Sequence, residues 1–222
     1  MAFIKSINNA FIENRNPEYA LSMAKYMRNH FLFFGIKTKD RREILKRIWK
    51  ENHIEVANNP REIALALFKL PEREFHYCAI EIVIKLLKNK YLKEDIQLIE
   101  FLITTHSWWD SVDTISKYIL GEYLSEYQFE TNKTIERFSN SESLWLNRSA
   151  LLFQLGYKQK TNFDLLKSEC EKHKNSTEFF IQKAIGWALR EYAKTNPQEV
   201  INYLNNSNLK KLSQKEAKKH IL

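Results

Sequence analysis

The residues best suited to chemistry stand together in Thr105-His106-Ser107-Trp108-Trp109-Asp110-Ser111-Val112-Asp113. Read as a helix start, Ser107 is the N-cap and Asp110 completes a Ser-x-x-Asp box, so the pattern predicts a helix running on from Trp108. Trp109 and Asp113 are then one helical turn apart on one face, with Cβ atoms about 5–6 Å apart. A carboxylate beside an indole wall can hold a positive charge. Other chemistries find less material. His30, His53, His76, His106, His173 and His220 are scattered, and no Cys or His pair has ligand spacing, so no metal or cofactor is expected. Lys183 sits in a basic stripe, where phosphate contact is a simpler role than Schiff-base formation.

The elements that must position these residues are helices. The chain has 222 residues with only four Gly and four Pro, which leaves little for tight β-turns, glycine-rich phosphate loops or linkers, and one domain over residues 1–222 is expected. Pro17, Pro60 and Pro197 each follow an Asn, a helix-start signature. Phe3, Ile4, Ile7 and Phe11 mark a first helix, and Tyr19, Ala20, Met23, Met27 and Phe31 continue after Asn16-Pro17. Gly35 reads as a helix stop. Thr38 reads as a cap for a helix with Ile44, Leu45, Ile48 and Trp49 on its buried stripe. That helix start can serve a phosphate through its free amides and neighbouring lysines, or simply be an ordinary cap.

From Pro60 onward a period emerges. Phe75, Trp109, Trp145 and Phe180 fall 34, 36 and 35 residues apart, each opening a helix, with shorter helical patterns between them. Two helices per repeat of this length predict an all-α chain, an α-solenoid of the HEAT, armadillo or TPR kind with a concave face. Four residues after each aromatic stand Ala79, Asp113, Ser149 and Ala184. Three are small and one is a carboxylate, and breaks in a local rule mark functional positions.

Thirty-five Lys and Arg against 27 Asp and Glu give a net charge of +8, which favours an anionic partner, nucleic acid before a membrane surface. Arg148, Lys158, Lys160, Lys183, Arg190 and Lys194 cluster along the later helices, followed by Lys210, Lys211, Lys215, Lys218 and Lys219. Cys78 and Cys170 lie far apart in apolar helical contexts and read as reduced, packed thiols. With no apolar run of about 18 residues, the chain is expected to be soluble and cytoplasmic, without a membrane partner.

The segments Trp108-Trp109-Asp110-Ser111-Val112-Asp113, Trp145-Leu146-Asn147-Arg148 and Phe179 through Tyr192 resemble the AlkD family of bacterial DNA alkylation-repair glycosylases. Met23 through Phe31 and Pro71 through Phe75 extend the resemblance over nearly the whole chain. It implies HEAT-like antiparallel helical pairs whose concave basic face holds duplex DNA, acting as a monomer. It also implies excision of cationic alkylated purines, 7-alkylguanine and 3-alkyladenine. Carried over, Asp113 is the catalytic carboxylate and Trp109 and Trp187 flank the lesion's deoxyribose. Arg148 holds the DNA backbone, with Tyr26 a further contact. Thr38, Lys158, Lys183 and Arg190 complete the expected DNA-binding set.

Alkylation at N7 or N3 makes the purine cationic, so its glycosidic bond is already weakened and breaks through an oxocarbenium-like sugar. A lone carboxylate about 4 Å from that sugar contributes roughly 4 kcal/mol at an effective dielectric near 20, about a thousandfold in rate. That suffices for a labile leaving group only. Asp113 can act electrostatically or as general base to a water. With no lysine nucleophile, a monofunctional glycosylase that leaves an abasic site is expected. The alternative is a non-catalytic helical-repeat scaffold that binds nucleic acid.

Overall fold

The computed structural model describes residues 1–219, so His220 lies outside the described residues. Among them the chain is all-α, and its contacts group into two units, Met1–Leu92 and Lys93–Leu222.

The first unit contains helices Ala2–Glu13, Pro17–Tyr26, Thr38–Glu51, His53–Asn58, Pro60–Phe68 and Arg73–Leu86. The apolar spacing of the first helix buries Phe3, Ile7 and Phe11 completely. Phe11, Phe34 and Phe75 meet there at ring-centre distances of 5.3 to 5.6 Å. Pro17 and Pro60 stand at the first helical position, as expected, and Asn16 caps its helix by accepting from the Tyr19 amide at 3.0 Å. Thr38 is the first helical residue, with Lys37 as a cap that makes no side-chain bond.

Gly35 does not stop a helix. The helix before it ends at Tyr26, and residues 31–36 form an irregular crossing instead. The amides of Phe34, Gly35 and Ile36 converge there on the buried Glu74 carboxylate at 3.2, 2.9 and 3.2 Å. These three donors outcompete a helical cap because a buried carboxylate is costly without them. Gly35 has φ +86°, and a Cβ there would lie 2.0 Å from the Asn16 carbonyl oxygen. Gly35→Ala should therefore destabilise the protein by about 2–3 kcal/mol, read as a lower urea midpoint at unchanged slope.

The second unit begins with Asp95–Thr104. A helix then starts at Trp109–Ile115, passes through a π-helical turn at Ser116–Leu120 and ends as Gly121–Glu126. Thr131–Ser139, Leu144–Leu152, Phe163–His173, Phe179–Ala193, Pro197–Asn206 and Lys211–Ala217 follow. Helices pack on others close by in the chain, one or two elements away: Leu144–Leu152 lies against Thr131–Ser139 and Phe179–Ala193, and Phe179–Ala193 packs most extensively on Lys211–Ala217. This serial packing is consistent with an α-solenoid. The periodic aromatics Trp109, Trp145 and Phe180 all fall at helix starts, and the Trp145 and Phe180 rings meet across two of these helices at 5.2 Å.

The Ser107 capping box does not form. Ser107 Oγ donates instead to the Ile103 carbonyl at 2.6 Å, and the helix starts one residue later, after an extended Trp108. The open carbonyls ending Asp95–Thr104 compete for the same hydroxyl, and they are nearer. Cys78 and Cys170 are buried and unbridged. Burial pushes the Cys78 thiol up to about 11 and the Cys170 thiol higher still. No helix among the described residues is long and apolar enough to cross a membrane.

Candidate active site

The site is built where two neighbouring helices of the second unit are locked in register. Ser116 Oγ, at the start of the π-helical turn, lies 2.7 Å from the Val112 carbonyl oxygen and 2.8 Å from Ser149 Oγ, its one proton shared between them, and both hydroxyls are fully buried. The Ser149 hydroxyl in turn donates to the Trp145 carbonyl at 2.8 Å. With Ser116 held against Ser149, Asp113 and Arg148 face each other. Arg148 grips Asp113 as a two-pronged fork, Nε to Oδ1 at 2.7 Å and Nη2 to Oδ2 at 2.9 Å. Its remaining nitrogen, Nη1, donates to the Phe180 carbonyl on the Phe179–Ala193 helix. Three helices, Trp109–Ile115, Leu144–Leu152 and Phe179–Ala193, are thus tied through one guanidinium.

The pair is asymmetric in exposure: the Arg148 side chain is 5% accessible and that of Asp113 14%. Arg148 is expected on the DNA backbone, but its guanidinium is turned inward and spent on Asp113 and Phe180. The reason is cost: a half-buried carboxylate one turn into a helix needs a cation, and Arg148 is the one that the Ser116–Ser149 lock delivers. Burial holds the Asp113 carboxyl above its ordinary value, against the hydrogen bonds and charge of Arg148, which pull it down.

Beside this pair opens a cleft of about 220 Å³ lined by Trp109, Arg148, Phe179, Phe180 and Lys183. Its aromatic wall is backed by a cluster in which Trp108, Trp145 and Phe180 lie 5.2 to 5.7 Å apart. Lys183 Nζ stands 5.8 Å from the Phe179 ring, which is largely exposed. Trp187 is one turn beyond Lys183. Phe180, Lys183, Trp187 and Arg190 follow one another at intervals of three, four and three residues, so they form one half-exposed stripe along Phe179–Ala193. Trp187 itself packs partly against the apolar core of this unit.

The other expected residues are distributed more widely. Lys183 and Arg190 are ion-paired with Glu216, at 2.8 and 3.0 Å. Lys158 is exposed in a short turn with φ +54°, at a separate cleft of about 250 Å³ shared with Gln154, Tyr192 and Lys194. Tyr26 and Thr38, both exposed, line a third cleft of about 320 Å³ in the first unit, with Met23, Phe33, Arg41 and Tyr77.

Sequence reasoning misses three things here. Trp108 joins the aromatic cluster. Phe179 and Phe180 enter the cleft wall, although the sequence marks Phe180 only as a periodic helix-opening aromatic and Phe179 only within a resembling segment. Glu216 organises two of the expected cations, and its only sequence signal is that it is the lone acid between Lys210 and Lys219.

The sequence matches the family described as DNA alkylation repair enzyme over residues 7–221. Among solved structures, a predicted DNA alkylation repair enzyme from Enterococcus faecalis superposes with a TM-score of 0.84 at 36% identity, covering 93% of this chain and 96% of that one. The Streptococcus mutans UA159 protein smu.31 shares the fold at a TM-score of 0.58 and 18% identity, covering 82% of this chain and 100% of its own. Comparison with curated proteins gives no match. The chain belongs to the DNA alkylation repair enzyme family, and its role lies in the repair of alkylated DNA.

Proposed function

We infer that the protein is a monofunctional DNA glycosylase of base excision repair, built of HEAT-like repeats and acting as a monomer without a cofactor. Its substrates are cationic alkylated purines, 7-alkylguanine and 3-alkyladenine, in duplex DNA. One observation carries this reading: Arg148, which holds the partly accessible Asp113 carboxylate as a fork, lines an open cleft walled by aromatic rings and lysine. In this reading Trp109, which lines the cleft, and Trp187, one turn beyond Lys183, supply ring faces to an electron-poor deoxyribose, and Asp113 supplies the anion that answers the charge developing on it.

The fork changes the energetics. An ion pair whose cation sits roughly 4 Å behind the anion returns about half of the carboxylate's field. Roughly 2 kcal/mol remains of about 4 at an effective dielectric near 20, about thirtyfold in rate. Electrostatics alone is then a modest catalyst. A carboxylate accepts about four hydrogen bonds, of which Arg148 fills two, and the rest remain for a water. Burial makes the carboxylate more basic, and Arg148 fixes its direction. Both features suit a general base that aims water at the sugar carbon as the purine leaves, with the proton passing to Asp113. Arg148 is accordingly a positioning residue.

A non-catalytic nucleic-acid-binding scaffold is favoured by one fact, that the Asp113–Arg148 pair is electrostatically complete in itself. Incubation with methylated duplex DNA separates the two readings. The glycosylase releases free 7-methylguanine and leaves sites that break only on alkaline treatment. A scaffold binds the duplex and releases no base, and that result would reject the enzymatic reading.

A further inference from the structure

The cations along the Phe179–Ala193 stripe are not simply waiting for phosphate. Gly186 lets the Lys211–Ala217 helix approach closely, since a Cβ there would stand 2.4 Å from Glu216 Cβ and 2.7 Å from the Ser213 carbonyl oxygen. Ser213 Oγ completes the seam by donating to the Gln182 carbonyl at 3.0 Å. This contact drives the Glu216 side chain, 7% accessible, between the stripe's cations. Oε1 accepts from Lys183 at 2.8 Å and from Lys219 at 2.7 Å, while Oε2 accepts from Arg190 at 3.0 Å. Arg190 also reaches the Glu216 backbone carbonyl at 3.1 Å.

Two lysines and an arginine around one set of anionic oxygens is the arrangement a phosphate would receive. The three cations keep 34%, 44% and 22% of their side chains accessible, for Lys183, Lys219 and Arg190, so they face solvent while their charge is shared inward. Burial pushes the Glu216 carboxyl up, but its three cationic hydrogen-bond donors outweigh this and hold it at about 2, so it is anionic at neutral pH.

We propose that Glu216 is an internal phosphate mimic, a brake that discounts the charge of Lys183 and Arg190 and so weakens the grip on undamaged duplex. The inference rests on the DNA-binding role proposed above. Undamaged DNA offers only backbone charge, so a discount on phosphate contacts falls most heavily on it. A lesion adds the contacts of the aromatic rings of the cleft, which Glu216 reaches only through Lys183. Glu216 would thus set the ratio of damaged to undamaged binding.

The test is titration of an unmodified duplex with wild type, E216Q and E216D across salt concentrations, with circular dichroism confirming folded protein. E216Q removes the competing charge and should bind about three- to tenfold tighter at low salt. Its plot of log affinity against log salt should steepen by about one to two, since each freed cation adds about 0.9 per phosphate. E216D keeps the charge and should stay close to wild type in affinity and slope. Equal tightening in both variants, or an unchanged slope in folded E216Q, overturns the brake. If wild type excises 7-methylguanine while E216Q leaves binding unchanged, only the brake fails. If wild type holds no duplex at any salt, the proposed DNA-binding role fails with it.

Discussion

Asp113→Asn should release 7-methylguanine from methylated duplex at least about a hundredfold more slowly than wild type, the lower end of what removal of a general base costs. The amide has nearly the carboxylate's shape but cannot take a proton. It also turns an NH2 toward a guanidinium nitrogen that now donates to a carboxylate oxygen, Nη2 to Oδ2 at 2.9 Å. Two donors facing each other cost stability, so the melting temperature should fall as well. Single-turnover rates at a temperature where both proteins are folded separate the effects. Excision at the wild-type rate by Asp113→Asn would remove Asp113 from the chemistry and leave the cleft without a catalytic group.

The largest stability effect is expected at Arg148. Arg148→Ala strips both prongs from a carboxylate that is only 14% accessible and removes the donor to the Phe180 carbonyl. Removing one partner of a buried pair costs about 3–5 kcal/mol, because the other charge is left without compensation. The pH dependence tells this apart from lost packing. Burial already raises the Asp113 carboxyl, and Arg148 is what restrains it, so the variant's carboxyl should rise further. A carboxyl raised on folding favours the native state below its unfolded value and loses that contribution as pH increases through the folded value. The Arg148→Ala deficit should accordingly be greatest near neutral pH and shrink toward pH 4. Acting as a base, Asp113 must be ionised, so the acid limb of excision should move to higher pH. Urea denaturation at the two pH values and a pH–rate profile read both. A deficit independent of pH, with an unmoved acid limb, would mean that Arg148 does not restrain Asp113.

Arg148 also shows where reading residues one at a time falls short. An arginine within a motif shared with DNA-repair proteins reads as a phosphate contact, and nothing in Trp145-Leu146-Asn147-Arg148 says that its side chain turns inward. What turns it is Ser149 beside it, fixed to Ser116 from the preceding helix. The same holds for Lys183 and Arg190, whose common partner Glu216 lies 33 and 26 residues away. Charge counts register such cations at full value, although a carboxylate has already claimed part of each.

The sequence by itself determined that the chain is helical, where several helices begin, and which residues carry the family's motifs. Those are local matters: Asn before Pro, apolar spacing near 3.6 and a large ring in the first turn act within a few residues. Only the tertiary structure decided which charges meet. Asp113 and Arg148 are 35 residues apart, and their distance depends on helix register, a π-helical turn and two buried hydroxyls. Coulomb energy falls with separation in space and not along the chain, so the partners that set a site's electrostatics appear only once the helices have packed.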